Sequence, residues 1–374
     1  MTEINESIKT SGTDPEKSIE AVVIELEFIN CFKDCLNKTT IKPPHWPAAI
    51  DALSQSSKPA VFAFDNKGTQ KAKVKIKVTS KGYGGNGKLK GLVKGLEFEG
   101  SIPLSSGEHT VEVTLKEPPT ALLWIKNKIS WGVEATDRSV LAGNTPVEIF
   151  FVFSDPSKMA FFSKNGVWVE ALRFIISKGK LESIKKDSEA VGYVTAACFS
   201  LPNHKYEVQR GGANFGGGSR TFSLKKYMDG SEGAVNCYDQ TYSVIVFSGA
   251  LGINVDGLFM EPFGYIKAVN LVGWGRCNNP FPQRKPTKDY LVVNPTDNER
   301  QPFGNHMFCE FKVKIYDACA GPVKGTVDRA GYVTNTIDTT MPANADTGFP
   351  GTIANIGSIA LIRGSINANV TDVE

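Results

Sequence analysis

The stretch SEGAVNCYDQTYSVIVFSGALGI, residues 231–253, decides how the second half of the chain is read. From Asn236 to Leu251 the run exceeds the length of most strands and suits a helix. Its SVIVF core is β-rich, so propensity alone leaves both options open, but the start and stop signals favour the helix. Asn236 is a good N-cap, Asp239 falls at the third helical position, and GALG supplies a stop. Tyr242, Val244, Ile245, Val246 and Phe247 leave no wet face, which predicts a buried helix. Cys237 would then occupy the first helical position, beside unpaired backbone N–H groups and the positive end of the dipole. That setting favours a thiolate. Asp239 partly opposes it, so a cationic neighbour is needed as well.

The chain has four histidines from which that neighbour can come. His45 lies in the proline-bound KPPHWPA, His109 opens the strand HTVEVTL, and His204 sits in the loop-like LPNHKYEV. His306, in FGNHMFCEFKVKIYDACAGP, begins a strand and is followed closely by Asp317. Alternation puts His306, Phe308 and Glu310 on one face of that strand and Met307, Cys309 and Phe311 on the other. A turn within KVKIYD, or a pair of neighbouring strands, returns Asp317 beside His306. A cysteine hydrolase needs a thiolate, an imidazole and a third group that fixes the imidazole tautomer. Cys237, His306 and Asp317 are the candidates for those roles.

Outward from this centre, the 374 residues suit two domains. The composition, 41% hydrophobic and 22% charged, is that of a folded soluble protein. A formal charge of +3 and the lack of basic runs interleaved with aromatics argue against nucleic acid as partner. No apolar stretch is long enough to span a membrane. Residues 1–18 read as a mobile polar leader without a secretory signal. Seven scattered cysteines suggest free thiols in a reducing, cytoplasmic compartment, with export by a route lacking a cleavable signal left open.

Residues 19–155 read as successive short strands separated by turns such as DNKG, GYGGNG and LSSGE, the pattern of an all-β, immunoglobulin-like sandwich. Lys71, Lys73, Lys75 and Lys77 alternate with Ala72, Val74, Ile76 and Val78, so the lysines share one face. That face is either solvated or a docking surface for an acidic partner. FSDPSKMAFFSKNG, residues 153–166, marks the joint, and 156–374 form an α+β domain. Helices are expected in VWVEALRFIISKGKLESIKK and in FSLKKYMDG, the latter ended by Gly230.

The order of a cysteine at a buried helix start, LGI at its end, His-x-Phe-x-Glu on a strand and Tyr-Asp on the next resembles the transglutaminase-like superfamily of papain-like fold. The resemblance covers roughly residues 223–320. It implies Cys237 as nucleophile, His306 as base and Asp317 as orienting partner, acting on protein or peptide amides through a thioacyl intermediate. Phe308 stands where the family more often has Trp, and a long insert precedes His306. Hydrolysis and transfer to an amine both remain open. No cofactor or metal is expected. The sandwich would recruit the target or dock the enzyme to a larger assembly.

Competing readings exist for each signal. Cys237 could be inert core, and the rival function is a non-catalytic binding protein that retains the fold. A toxin-like effector using the same triad is a third reading. His306, Cys309, Asp317 and Cys319 have metal-ligand chemistry, but a strand separates His306 from Cys309. RGGANFGGGSR, residues 210–220, lacks the G-K-[ST] ending of a phosphate loop and reads as a mobile loop or lid. The Cys237 N–H is a candidate oxyanion donor, with Trp274 or Tyr206 as possible second donors.

Overall fold

The computed structural model describes residues 16–29, 59–64, 70–162, 167–209, 211–216, 220–230, 233–261, 263–279, 300, 303–338 and 370–374, together with Ile362 and the backbone of short strands at 34–36, 39–40, 45–47 and 362–364. Most of the leader, Cys31, the side chain of Cys35, nearly all of the insert before His306 and the stretch 339–361 lie outside the described residues. Two compact units emerge, residues 1–155 with 165–169, and residues 156–164 with 170–374.

In the first unit, nine strands share a single sheet: β1 (Ser18–Ile29), β2 (His45–Pro47), β3 (Ala60–Ala63), β4 (Lys71–Lys81), β5 (Asn86–Val93), β6 (Leu96–Pro103), β7 (Gly107–Leu115), β8 (Leu123–Glu134) and β9 (Ser139–Val152). Their spatial order is β2-β1-β4-β7-β6-β5-β8-β9-β3. This differs from the two separate sheets expected of an immunoglobulin-like sandwich. One hydrogen-bonded sheet curls until β1 packs against β9, so the same strands enclose a core, and a small three-stranded sheet of Asp34–Leu36, Thr39–Thr40 and Val167–Trp168 is hydrogen-bonded separately from it.

Burial along β1 shows how the curl is made. Ile19, Ala21 and Val23 face inward, then Leu26 and Phe28 do, because a bulge between Val23 and Glu25 inverts the alternation. On β4, Ala72, Val74, Ile76 and Val78 are buried as the alternation requires. The lysines on its other face meet acids from both neighbouring strands. Lys73 lies opposite Glu27 and Glu112, while Lys71 and Lys75 form ion pairs with Glu112 (2.6 Å) and Glu108 (3.0 Å). The acidic partners of the lysine row therefore belong to the sheet itself.

Strand β5 falls in a stretch whose glycines read as turn. Gly91 sits opposite Trp131 of β8, and the indole occupies the space a Cβ at Gly91 would need. Trp131 is buried, and its Nε1 donates to Thr145 Oγ1 at 3.0 Å.

In the second unit, α1 is Val169–Gly179, α2 is Asp187–Phe199, α3 is Leu224–Asp229, α4 is Cys237–Ala250 and α5 is Arg329–Thr336. A five-stranded antiparallel sheet runs β13-β12-β11-β10-β14, where β10 is Asp256–Met260, β11 is His306–Phe311, β12 is Lys314–Asp317, β13 is Val323–Lys324 and β14 is Ile362–Gly364. Helices α2 and α4 pack on one face: Tyr316 Oη donates to Ser188 O, and Cys309 Sγ donates to Thr241 O. Helix α5 packs on the other through Phe308 and Glu310. Among the described residues no helix is long and apolar enough to cross a membrane.

Replacing Gly91 with Ala should force the Trp131 ring to shift, at a cost of about 1–3 kcal/mol. Denaturant unfolding followed by tryptophan fluorescence measures it, and an unchanged midpoint would contradict this packing.

Candidate active site

Helix α4 begins with a complete capping box. Asn236 Oδ1 accepts from the N–H groups of Tyr238 (2.9 Å) and Asp239 (3.1 Å), and Asp239 Oδ2 accepts from the Asn236 N–H at 3.0 Å. The remaining acceptor capacity of Asp239 goes to the N–H groups of Asn214, Phe215 and Gly216, at 3.0, 2.8 and 2.7 Å. Residues 211–216 of the glycine-rich stretch are thus pinned to the helix start rather than free as a lid, and Asn236 Nδ2 adds a bond to Gly211 O. Gly216 lies against the Tyr242 ring with no room for a side chain. Burial pushes the Asp239 carboxyl up to about 6, against the pull of its four N–H donors.

Every residue of α4 except Tyr238 is buried. This is why the β-rich SVIVF stays helical: tertiary packing and a strong cap outweigh weak local propensity. Cys237 occupies the first helical position, and among the described residues its backbone N–H has no backbone acceptor. One turn on, Gln240 Nε2 donates to Ala318 O at 2.8 Å and Gln240 Oε1 accepts from Tyr227 Oη at 2.6 Å. The first of these bonds holds the start of α4 against the chain segment that follows Asp317.

His306 and Asp317 come together through a tight hairpin. The pairing Cys309↔Tyr316 and Phe311↔Lys314 places Asp317 on the His306 face of the sheet. His306 Nε2 lies 2.9 Å from Asp317 Oδ2, both residues being about 1% exposed. The other ring nitrogen, Nδ1, is buried with no hydrogen-bond partner among the described residues, and Cys237 is close enough to the imidazole to favour its charged form. Burial is the largest influence on the imidazole and works against its charge. The charge and hydrogen bond of Asp317, followed by Cys237, outweigh it and raise His306 to about 10. Asp317 is held below its usual range despite burial, through His306, Tyr332 and the Ala320 N–H.

Three further donors surround Asp317: the N–H groups of Cys319 (2.7 Å) and Ala320 (3.0 Å) on Oδ1, and Tyr332 Oη (2.6 Å) on Oδ2. Tyr332 escapes a reading of the sequence, because the short helix that carries it lies in a turn-rich stretch. Trp274 does not serve as a spare donor, since its Nε1 is spent on Tyr206 O at 2.9 Å. Tyr206 is buried near the thiol. Burial, then the charge of Cys237, push its phenol well above the usual range, so it keeps its proton. Cys319 is also buried beside Asp317 and Cys237, whereas Cys309 points to α4. Among the described residues no group of three His, Cys, Asp or Glu side chains is arranged to hold a metal ion.

Of the other histidines, His45 and His109 belong to the first unit and His204 to the second. His109 Nε2 contacts Ser105 O at 2.8 Å on the first unit's sheet, and His45 lies on β2. His204 is buried against Tyr227 and Phe215, ring centroids 4.3 and 5.7 Å away, and among the described residues neither ring nitrogen has a hydrogen-bond partner of good geometry, the Tyr227 backbone being the polar group nearby. Burial lowers it to about 4.

Because His204 titrates near 6.5 when unfolded and near 4 when folded, it leaves stability intact above pH 6.5 and erodes it as pH falls towards 4. The loss should approach about 3 kcal/mol at the acid end. His204→Phe should flatten that slope in urea unfolding measured across the range. An identical slope in the variant would rule the attribution out.

No protein-family model matches the chain, and no curated protein sequence matches it. Among solved structures it is similar to the crystal structure of red sea bream transglutaminase, at 9% identity and a TM-score of 0.35. The alignment covers 84% of this chain and 55% of that one, so this chain spans little more than half the length of that protein.

Proposed function

We propose that the second unit is a transglutaminase-like thiol enzyme that breaks or transfers an amide acyl group, with Cys237 as nucleophile, His306 as general base and acid, and Asp317 as the group that orients His306. One observation carries this reading. His306 spends Nε2 on Asp317 at 2.9 Å, which leaves Nδ1 without a partner among the described residues, and Cys237 at the start of α4 is close enough to influence the same imidazole. A base held in one tautomer and aimed at a nucleophile is what acyl transfer requires.

In the reaction, the thiol proton rests on His306, whose imidazole is raised to about 10, and Sγ bonds to the carbonyl carbon as the C=O π pair moves onto oxygen. Collapse of the tetrahedral adduct breaks the C–N bond, and the imidazolium returns its proton to the departing amine. A thioester remains. Water or a primary amine then attacks it with His306 as base, giving an acid or a new amide and restoring the thiol. The unpaired Cys237 N–H is suited to the oxyanion, and the Tyr206 hydroxyl is proposed as the second donor. Protein or peptide amides are the proposed substrates. The first unit would recruit them, but not through its lysine row, whose charges are met within the sheet.

A thiol-directed acylating probe should label the intact protein at Cys237 and lose that label in Cys237→Ala. In His306→Ala labelling should slow by roughly 10²–10⁴-fold. Labelling that is unchanged in both variants, or that resides on another cysteine, contradicts the reading. With a glutamine-bearing protein and a fluorescent primary amine, incorporation of the dye separates transfer from hydrolysis. Tyr206→Phe should lower turnover by about 10²–10³-fold if its hydroxyl binds the oxyanion, and a variant as fast as the parent removes Tyr206 from that role.

A further inference from the structure

Asp317 Oδ2 takes two donors at once, His306 Nε2 at 2.9 Å and Tyr332 Oη at 2.6 Å. The second donor is held in place as firmly as the first. Tyr332 lies one turn along α5 from Arg329, whose Nε and Nη2 fork onto Glu310 Oε1 and Oε2, both at 2.7 Å. Glu310 shares a strand face with His306, and Phe308 between them packs on the Tyr332 ring with centroids 4.5 Å apart. The strand that carries the imidazole therefore clamps the helix that carries the phenol, through one ion pair and one ring contact. Asp317 closes the triangle.

We propose that Tyr332 is a positioning residue of the Cys237–His306–Asp317 centre: its hydroxyl keeps Asp317 ionised and, by sharing Oδ2 with the imidazole, limits how tightly Asp317 holds the His306 proton. This rests on the reading of that centre as catalytic. The chemistry is that of competing donors. A phenol O–H that draws charge from Oδ2 leaves less for Nε2–H, so the imidazolium is bound tightly enough to orient but loosely enough to give up a proton. Burial, then the charge of Asp317, push the Tyr332 phenol well above its usual range, so towards Asp317 it acts as a donor.

The other titratable groups facing the pair are Cys237 of α4, Cys319 beyond β12, Tyr206, and Cys309 on the reverse side of β11. Phe263, Phe303 and Phe308 form an apolar wall around the imidazole. Tyr332 also interacts electrostatically with Cys319 and Cys237. Its hydroxyl hydrogen bond is to Asp317 Oδ2, so a change in His306 titration on loss of the hydroxyl reports chiefly on the shared oxygen.

The test is the pH titration of the His306 imidazole by ¹⁵N NMR in the full chain, with the signal assigned by its loss in His306→Gln. In Tyr332→Phe the midpoint should rise by about one pH unit. With 3,5-difluorotyrosine at position 332, a stronger donor, it should fall. A phenol with a merely structural role moves neither, and an unmoved midpoint in a folded Tyr332→Phe overturns the proposal. If that variant does not fold, the difluorotyrosine protein decides, with an unmoved or raised midpoint overturning it. Alkylation of Cys237 by iodoacetamide, followed against pH in the same proteins, tests the underlying reading separately. An unreactive Cys237 in the parent protein would end the catalytic assignment, while the histidine titration would still settle what Tyr332 does.

Discussion

A carboxylate shut away from water persists only where donors surround it, and Asp317 is the point on which the second unit converges. Its four donors come from three parts of the chain: His306 on β11, Tyr332 on α5, and the N–H groups of Cys319 and Ala320 just past β12. None of these parts could satisfy it alone. Removing one partner of a buried charge typically costs more than the pair contributes, because the other is left stranded. The hairpin, the helix and the turn are therefore tied to one another by the need to keep a single charge satisfied. The turn is in turn fastened to α4 by Gln240 on Ala318 O. A single buried charge thus serves as the junction of the architecture.

The two buried histidines of this unit show that burial alone does not decide what an imidazole does. His204 and His306 are each about 1% exposed. His204 has aromatic rings for neighbours and only the Tyr227 backbone to favour its charge, so burial prevails and holds it neutral, near 4. His306 has an ionised carboxylate on one nitrogen and a thiol at the other, and the same burial is overcome. The difference lies in one side chain, eleven residues along a hairpin.

Much of this arrangement was legible in the residues because it follows local rules. The N-cap signature at Asn236 and Asp239 located the start of α4, and strand alternation placed His306 and Glu310 on a common face. Gly230 closes α3 in a left-handed conformation, as expected of a glycine after a short helix. What stayed hidden depends on partners distant in sequence. Helix α2 carries no clear apolar stripe, since it buries small residues such as Ala190 and Thr195 on several sides, and so offers no period to read. The turn reading of GYGGNG overlaps the start of β5, and the place of its Gly91 is explained only by Trp131, forty residues on. The glycine-rich stretch looked mobile because the carboxylate that fixes its backbone belongs to another segment. The curl of the first sheet depends on a bulge that no residue type announces.

Asp239 poses a conflict at the level of sequence that the geometry resolves. An acid in the first turn of α4 stabilises the helix by countering its dipole, yet that dipole is what would serve a nucleophile at the same end. The carboxylate does not face the thiol's needs directly. Both its oxygens are occupied by the backbone of Asn214, Phe215, Gly216 and Asn236, so its charge is spread over donors on the loop side. Asn236 meanwhile takes the N–H groups of Tyr238 and Asp239 on its side chain and that of Gln240 on its carbonyl. The cap satisfies each of the early donors of the helix except the one on Cys237. A buried N–H is costly to leave unpaired, and among the described residues the one the cap leaves over falls beside the sulfur of Cys237.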